Sequence, residues 1–197
     1  MPMSKIVLYM TMSVDGYIAG PQDSAEAPLG IDGMRLFNWL DRRHDPGPSG
    51  QVFSEAMATR ALISGRRTYE LAGHWQGDHH DGVPIFVLTH NVPDEPPPGS
   101  VRFVTDVREA AEQARAAAGD GDVMVHGAAA AQALLQASEL DELELHVVPV
   151  LLGQGRRLFD NLPPAHVELE LIRQLTTPDD EEFAKRVTHQ RYRVRRP

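Results

Sequence analysis

The sequence predicts an α/β fold in which a central, mostly parallel sheet carries helices on both faces and is finished by an antiparallel hairpin. Three observations lead there. Short apolar runs bounded by turn residues recur along the chain and read as strands buried on both faces. Helix-like segments separate these runs, and alternation of that kind lays strands side by side in parallel. The C-terminal part instead alternates apolar and polar residues, as antiparallel strands do.

Taken in order, Ile6 to Met12 is a nearly continuous apolar run and the first strand, followed by an Asp15-Gly16 turn and a loop at Gly20-Pro21-Gln22-Asp23. Arg35 to Leu40 reads as a short amphipathic helix, His44 to Gln51 as a surface loop, and Val52 to Ala58 as helical. Ala61 to Ser64 is a strand ending at Gly65, with a short helix beginning near Thr68. Pro84 to Thr89 is the next buried strand. Four prolines between Asn91 and Ser100 (Pro93, Pro96, Pro97 and Pro98) demand an extended connection. Arg102 to Val104 is strand-like. Asp106 with Glu109 forms a capping pair for a helix from Val107 to Ala118, closed by Gly119. Val123 to His126 is a strand and Ala128 to Ala137 a helix. In Leu143 to Val150, Glu144 and His146 alternate with apolar neighbours. Val167 to Leu171 and Val187 to Val194 complete the hairpin. No repeat or second domain is evident, so one domain spanning residues 1–197 is expected.

Composition narrows the function. The chain has 197 residues, 42 % of them hydrophobic and 24 % charged, which suits one sizeable core. Its 28 acidic against 19 basic residues leave a net charge of −9, which disfavours binding to nucleic-acid backbones. With no cysteine, disulfides, thiolate metal sites and thiol catalysis are excluded. The N-terminal Met1-Pro2-Met3-Ser4-Lys5 has no signal-peptide core, and no apolar run approaches the roughly 20 residues that span a bilayer. A cytoplasmic location is expected, with no membrane partner.

In an open parallel sheet, ligands bind at the carboxyl ends of the strands. Three such ends carry unusual residues. Ser64-Gly65-Arg66-Arg67-Thr68 combines a glycine that admits close approach, a helix start with free N–H groups, and arginines able to fork onto phosphate. A plain helix cap with solvated arginines fits it equally well. Val125-His126-Gly127-Ala128-Ala129-Ala130 is a second strand–small–helix junction, which suits either a pyrophosphate or tight helix packing. Leu88-Thr89-His90-Asn91 offers a hydroxyl and an imidazole, suited to the 2′-phosphate of NADP. Neither GxGxxG nor a Walker A motif is present. The histidines of His74 to Asp81 read as solvated loop residues and no metal site is expected. Arg173, Gln174, Arg191, Arg193, Arg195 and Arg196 read as solvent faces of strands.

These motifs together resemble a family. Ile6 to Ala19, with Ser13-Val14-Asp15-Gly16-Tyr17-Ile18-Ala19, is similar to the first strand and active-site loop of dihydrofolate reductases. Gly65-Arg66-Arg67-Thr68-Tyr69-Glu70 resembles their Gly-Arg-x-Thr-Trp-Glu helix start. Leu140 to Phe159, including Pro149-Val150-Leu151-Leu152-Gly153-Gln154-Gly155, resembles the closing segment of another branch. That branch is the C-terminal reductase domain of the bifunctional riboflavin-biosynthesis deaminase–reductase. No zinc-binding deaminase half is present, so a stand-alone reductase is expected.

The resemblance implies a dihydrofolate-reductase-like fold, NADPH as cofactor, a small heterocyclic substrate and a homodimer. Carried over by position, Thr11, Ile18 and Ala19 would flank the nicotinamide. Gly65, Arg66, Arg67 and Thr68 would hold phosphates, with Leu88, Thr89 and His90 near the 2′-phosphate. Gly127, Ala128 and Ala129 would lie against the pyrophosphate and nicotinamide. A branched side chain at Gly127 is expected to block the cofactor and spare the fold. Trp39, Gly153 and Gly155 would adjoin the substrate. Three residues before Trp39, where dihydrofolate reductases carry a carboxylate, stands Leu36, which cannot protonate a pteridine. Asp15, Asp32, Tyr17 and His126 are the candidate proton donors, although Asp15 also suits a turn cap. The expected function is reduction of a 5-amino-6-(5-phosphoribosylamino)uracil-type substrate. Pterin reduction and a non-catalytic NADP(H)-binding protein are the alternatives.

Overall fold

A computed structural model describes residues 4–95, 98–162 and 166–196. The expectations that touch Met1 to Met3 and Pro96 and Pro97 lie outside the described residues.

The chain enters as β1 (Ile6–Ser13), turns at Asp15-Gly16 and returns as the short β2 (Tyr17–Ala19). A 3₁₀ segment (Gly33–Arg42) and α1 (Pro48–Met57) follow, then β3 (Ala61–Gly65), α2 (Arg66–Leu71), β4 (Ile85–Leu88) and β5 (Val101–Val104). Next come α3 (Val107–Ala118), β6 (Val123–His126), α4 (Ala128–Gln136), β7 (Glu142–Val148), β8 (Arg156–Arg157), β9 (Leu169–Thr176) and β10 (Thr188–Val194). Eight strands form one sheet in the order β5-β4-β3-β6-β1-β7-β10-β9. The first six are mutually parallel, and β10 runs antiparallel to both β7 and β9. A separate pair, β2 with β8, folds across the carboxyl end of β1.

Alternation along the buried strands divides the core. Ile6, Leu8, Ile63 and Phe86 face α3 and α4, whose inner stripes are mostly alanine (Ala110, Ala111, Ala114, Ala130, Ala131). Small side chains let these helices lie close to the sheet. Val7, Tyr9, Leu62 and Val87 face the other way, onto Ala56 of α1 and Tyr69 of α2. Leu36 and Trp39 of the 3₁₀ segment pack with Val52 and Val148 beside that face. The expected α/β architecture, with helices on both faces and a terminal antiparallel hairpin, is the observed one.

Three local expectations are corrected. The segment around Arg35 to Leu40 is 3₁₀ rather than α-helical, though amphipathic as read, burying Leu36 and Trp39. The loop expected from His44 to Gln51 ends early, because Pro48 starts α1 at a position where its missing N–H costs nothing. The third correction concerns β7. Its polar alternation suggests a half-exposed strand, yet Glu142, Glu144 and His146 are all buried. β7 lies between β1 and β10 with both faces covered, so its carboxylates must find cations. Arg173 of β9 donates to Glu144 at 2.8 Å and forks onto Glu55 of α1 at 2.7 and 2.8 Å. Arg191 of β10 donates to Glu142 at 2.7 Å, which also pairs with Lys5. Arg173 and Arg191 are therefore interior partners rather than a solvent face. Arg193, Arg195 and Arg196 do lie at the surface, paired with Glu170 and Asp141.

No helix among the described residues is long and apolar enough to cross a membrane.

Candidate active site

The parallel strands β1, β3 and β6 end at one edge of the sheet, and a cavity of about 560 Å³ opens there. That volume suits a small organic ligand. Tyr9, Met10 and Thr11 of β1, with His126 and His146, supply its strand-borne lining. Ile18 and Ala19 of β2 and Trp39 of the 3₁₀ segment form part of its walls. Gly155 governs this wall from outside: at φ +131° it lies so close that any Cβ would collide with the Ala19 carbonyl. It shapes the cavity by letting β8 pair with β2, without lining it.

The two strand–small–helix junctions belong to the adjacent strands β3 and β6 and pack against each other. A Cβ on Gly127, at φ +94°, would collide with the Thr68 hydroxyl, and one on Gly65 would meet Ala129 Cβ at 3.3 Å. Gly65, Arg67, Thr68, Ala128 and Ala129 all line the cavity. No side chain caps the N-terminus of α4, and Gly127 N–H reaches only the Met10 sulfur at 3.3 Å. Its first-turn N–H groups are therefore free to meet an anion. At the mouth, Asp23 accepts from Arg67 at 3.0 Å and from Arg156 at 2.9 Å. Burial works to raise the Asp23 pKa, but the bonds from Arg156 and Arg67 hold it below the usual carboxylate value.

Arg66, Leu88, Thr89 and His90 lie outside the cavity, at the ends of β3 and β4. Arg66 pairs with Glu70 at 2.7 Å and donates to the Asn91 carbonyl at 3.3 Å, while the Thr89 hydroxyl closes a turn onto Asn91. His90 is exposed. Together they continue the edge beyond the cavity towards β4.

The four candidate proton donors fare differently. Tyr17 does not line the cavity: its hydroxyl donates to the Gly153 carbonyl at 3.2 Å and accepts from Arg157 at 3.0 Å. Asp15 latches two loops: it accepts from Ser13 Oγ at 2.5 Å, from Leu152 N–H at 3.1 Å and from Gly153 N–H at 2.8 Å. Burial opposes these bonds, yet they keep Asp15 ionised below the usual carboxylate range, and it does not line the cavity. Gly153 contributes to this latch, away from the cavity. Asp32 is exposed with φ 59° at the start of the 3₁₀ segment and points no group into the cavity. His126 does line it. Its Nδ1–H donates to the Tyr9 carbonyl at 2.8 Å, leaving a bare Nε2. Burial lowers its pKa to about 4, so at neutral pH it accepts hydrogen bonds and has no proton to give.

Several site residues were not legible in the sequence. Asp23 and Arg156 meet at the mouth from segments 133 residues apart. The loop bearing His74 to Asp81, expected to be solvated, brings Trp75 and His79 to the cavity instead. His74, Trp75 and Gln76 all take left-handed backbone angles (φ 58°, 45° and 52°), which turns Trp75 back over His126. Burial, with His126 and His80 nearby, lowers the His79 pKa to about 3. No group of three or more metal-ligating side chains occurs among the described residues. Leu36 is fully buried, away from the cavity, and Trp39 Nε1–H instead donates to Thr11 Oγ1 at 3.2 Å.

Comparison with known proteins agrees with this architecture. The family model described as the RibD C-terminal domain matches residues 4–181. A crystal structure from Shewanella sp. PV-4, named for riboflavin biosynthesis, is 24 % identical with a TM-score of 0.69, covering 98 % of this chain and 100 % of that one. Dihydrofolate reductase from Enterococcus faecalis, complexed with NADP(H) and RAB-propyl, is 17 % identical with a TM-score of 0.61, covering 96 % of each chain. At these identities the two structures establish a shared fold. No curated protein matches the sequence.

Proposed function

The chain belongs to the RibD C-terminal domain family, and from that premise we propose that it is an NADPH-dependent reductase of a small heterocycle, of the 5-amino-6-(5-phosphoribosylamino)uracil type. One observation carries the reading: the uncapped N-terminus of α4 opens, through Ala128 and Ala129, onto the same cavity as Arg67 and Arg156. Free N–H groups and guanidinium forks are what a pyrophosphate requires. The fit is local, since it occurs in a chain of net charge −9.

In this reading Thr68, Ala128 and Ala129 hold the pyrophosphate, with Arg67 released from Asp23 to join them. Arg66, Thr89 and His90 extend to the 2′-phosphate, and Leu88 supports that edge. Thr11, Ile18 and Ala19 flank the nicotinamide, and Trp39 walls the substrate's side. Bound there, NADPH supplies a hydride. The protein's own work is alignment and exclusion of water, which the largely apolar lining provides. The protein acts in the cytoplasm as a homodimer, for which Leu169, Leu171 and Ile172, exposed on the edge strand β9, offer an apolar rim.

A second reading, an NADP(H)-binding protein without catalysis, is favoured by the state of Asp15, Asp32 and His126, none of which brings an available proton to the cavity. Pterin reduction is disfavoured because Leu36 leaves no carboxylate at the first helix.

Titration with NADPH and NADH separately, followed by calorimetry, tests the proposal. Micromolar NADPH affinity with weaker NADH affinity is expected, and screening of pyrimidinones for NADPH oxidation then separates enzyme from binder. Absence of binding by either nucleotide overturns both readings.

A further inference from the structure

At the inner wall of the cavity stands His146, with a second histidine, His189, buried behind it. His146 on β7 stands opposite Thr11 on β1 and opposite His189 on β10, so all three side chains share one face of the sheet. The two imidazoles meet Nδ1 to Nδ1 at 2.8 Å, and Trp39 packs over both, with ring centroids 4.7 and 5.1 Å away. His189 is fully buried, and its Nε2 lies 3.4 Å from Ser49 Oγ at the start of α1. His146 is 5 % exposed and lines the cavity. Among the described residues its Nε2 makes no hydrogen bond, and unlike the sealed, unpartnered Glu144 Oε1 and Arg173 Nε it keeps access to the cavity. That nitrogen is the polar atom the pair leaves for a ligand.

Burial keeps both rings neutral, His189 with a pKa of about 4 and His146 well below the ordinary histidine value. Two neutral imidazoles joined through Nδ1 share one proton between those atoms. When His189 donates, His146 turns an N–H towards the cavity and Ser49 O–H donates to His189 Nε2. When His146 donates, it turns a lone pair to the cavity and His189 Nε2–H donates to Ser49. A serine hydroxyl serves either arrangement, so the pair can answer a donor or an acceptor without carrying charge.

Building on the heterocycle-reductase reading, we infer that His146, backed by His189 and Ser49, is the specificity residue for the substrate ring, selecting a neutral lactam or imide edge over a protonated amidine edge. A carboxylate facing the cavity here would favour a cationic ring. A neutral imidazole gives no such compensation for bringing a cation out of water. It can match an uncharged N–H or C=O.

The test uses the full chain with and without saturating NADP⁺, titrated by calorimetry with 5,6-diaminouracil and with 2,4-diamino-6,7-dimethylpteridine. Wild type should bind the uracil at least about tenfold more tightly than the pteridine. His146→Phe should lose about tenfold in uracil affinity and abolish the preference, with NADP⁺ affinity unchanged. His146→Gln, which keeps a donor and an acceptor, should restore much of it. Should His146→Phe misfold, ¹⁵N spectra of wild type decide: uracil should shift the His146 Nε2 resonance. A preference for the pteridine, an unaltered preference in folded His146→Phe, or an unmoved Nε2 resonance overturns the inference. Failure to bind NADP⁺ instead overturns the reductase reading alone, because the ring preference is also read without cofactor.

Discussion

Helices α3 and α4 lie side by side on one face of the sheet, both turning alanines inward, yet they begin in opposite ways. At α3 the Asp106 carboxylate accepts the backbone N–H groups of Arg108 and Glu109, both at 2.9 Å. At α4 the chain passes through Gly127 into Ala128 and Ala129 with no capping side chain, and the open turn faces the cavity. One helix satisfies its own terminus, and the other leaves its terminus open to the cavity. Where local stability and binding compete for the same N–H groups, the difference separates the strand end that borders the cavity, that of β6, from one that does not, that of β5.

The contrast is broken most severely at Gly127. Gly127→Val forces a branched side chain into φ +94° and against Thr68, so the fold itself should lose about 3 kcal/mol or more, measured by urea denaturation. The expectation that this substitution spares the fold is corrected by that contact. Ala128→Asp is the cleaner way to close this terminus to an anion, one position inside the helix from the cap that Asp106 provides for α3. Its carboxylate should complement the helix dipole and repel an anion, lowering NADPH affinity roughly a hundredfold while leaving the melting temperature level or higher. Arg67→Ala removes a cation at the cavity mouth and should weaken NADPH about tenfold in a fluorescence titration. Arg66→Ala should weaken NADPH more than NADH, and equal losses would assign Arg66 to the pyrophosphate. The smallest effect belongs to α3: Asp106→Ala should cost about 1 kcal/mol of stability without altering NADPH affinity.

How far the sequence could be read follows the same division. The bounds of α3 were legible because every signal for them is local: Asp106 before the helix, Gly119 after it, alanines at helical spacing between. The two glycine–helix junctions were legible for the same reason. The start of α1 was not, since Pro48 reads equally as loop and as first helical turn. The buried role of β7 was hidden because its cations come from β9 and β10, and Arg173 is 29 residues from Glu144. His146 and His189, 43 residues apart, gave no joint signal. Asp15, read as a donor or a turn cap, has its carboxylate occupied by a loop that lies far along the chain.

Periodicity and turn chemistry act over a few residues, so the sequence by itself determined the strand and helix order, the parallel sheet and the edge where a ligand should bind. Exclusions followed from composition alone: without cysteine there is no thiol chemistry, whatever the fold. Tertiary structure decided which polar groups are inside and what each faces. It buried Glu144 against Arg173, joined Arg67 to Arg156 through Asp23, and set His146 at the wall of the cavity with His189 behind it. These outcomes depend on pairings between distant strands. A buried polar group is decided by the partner that satisfies it, and that partner is known only once the sheet has closed.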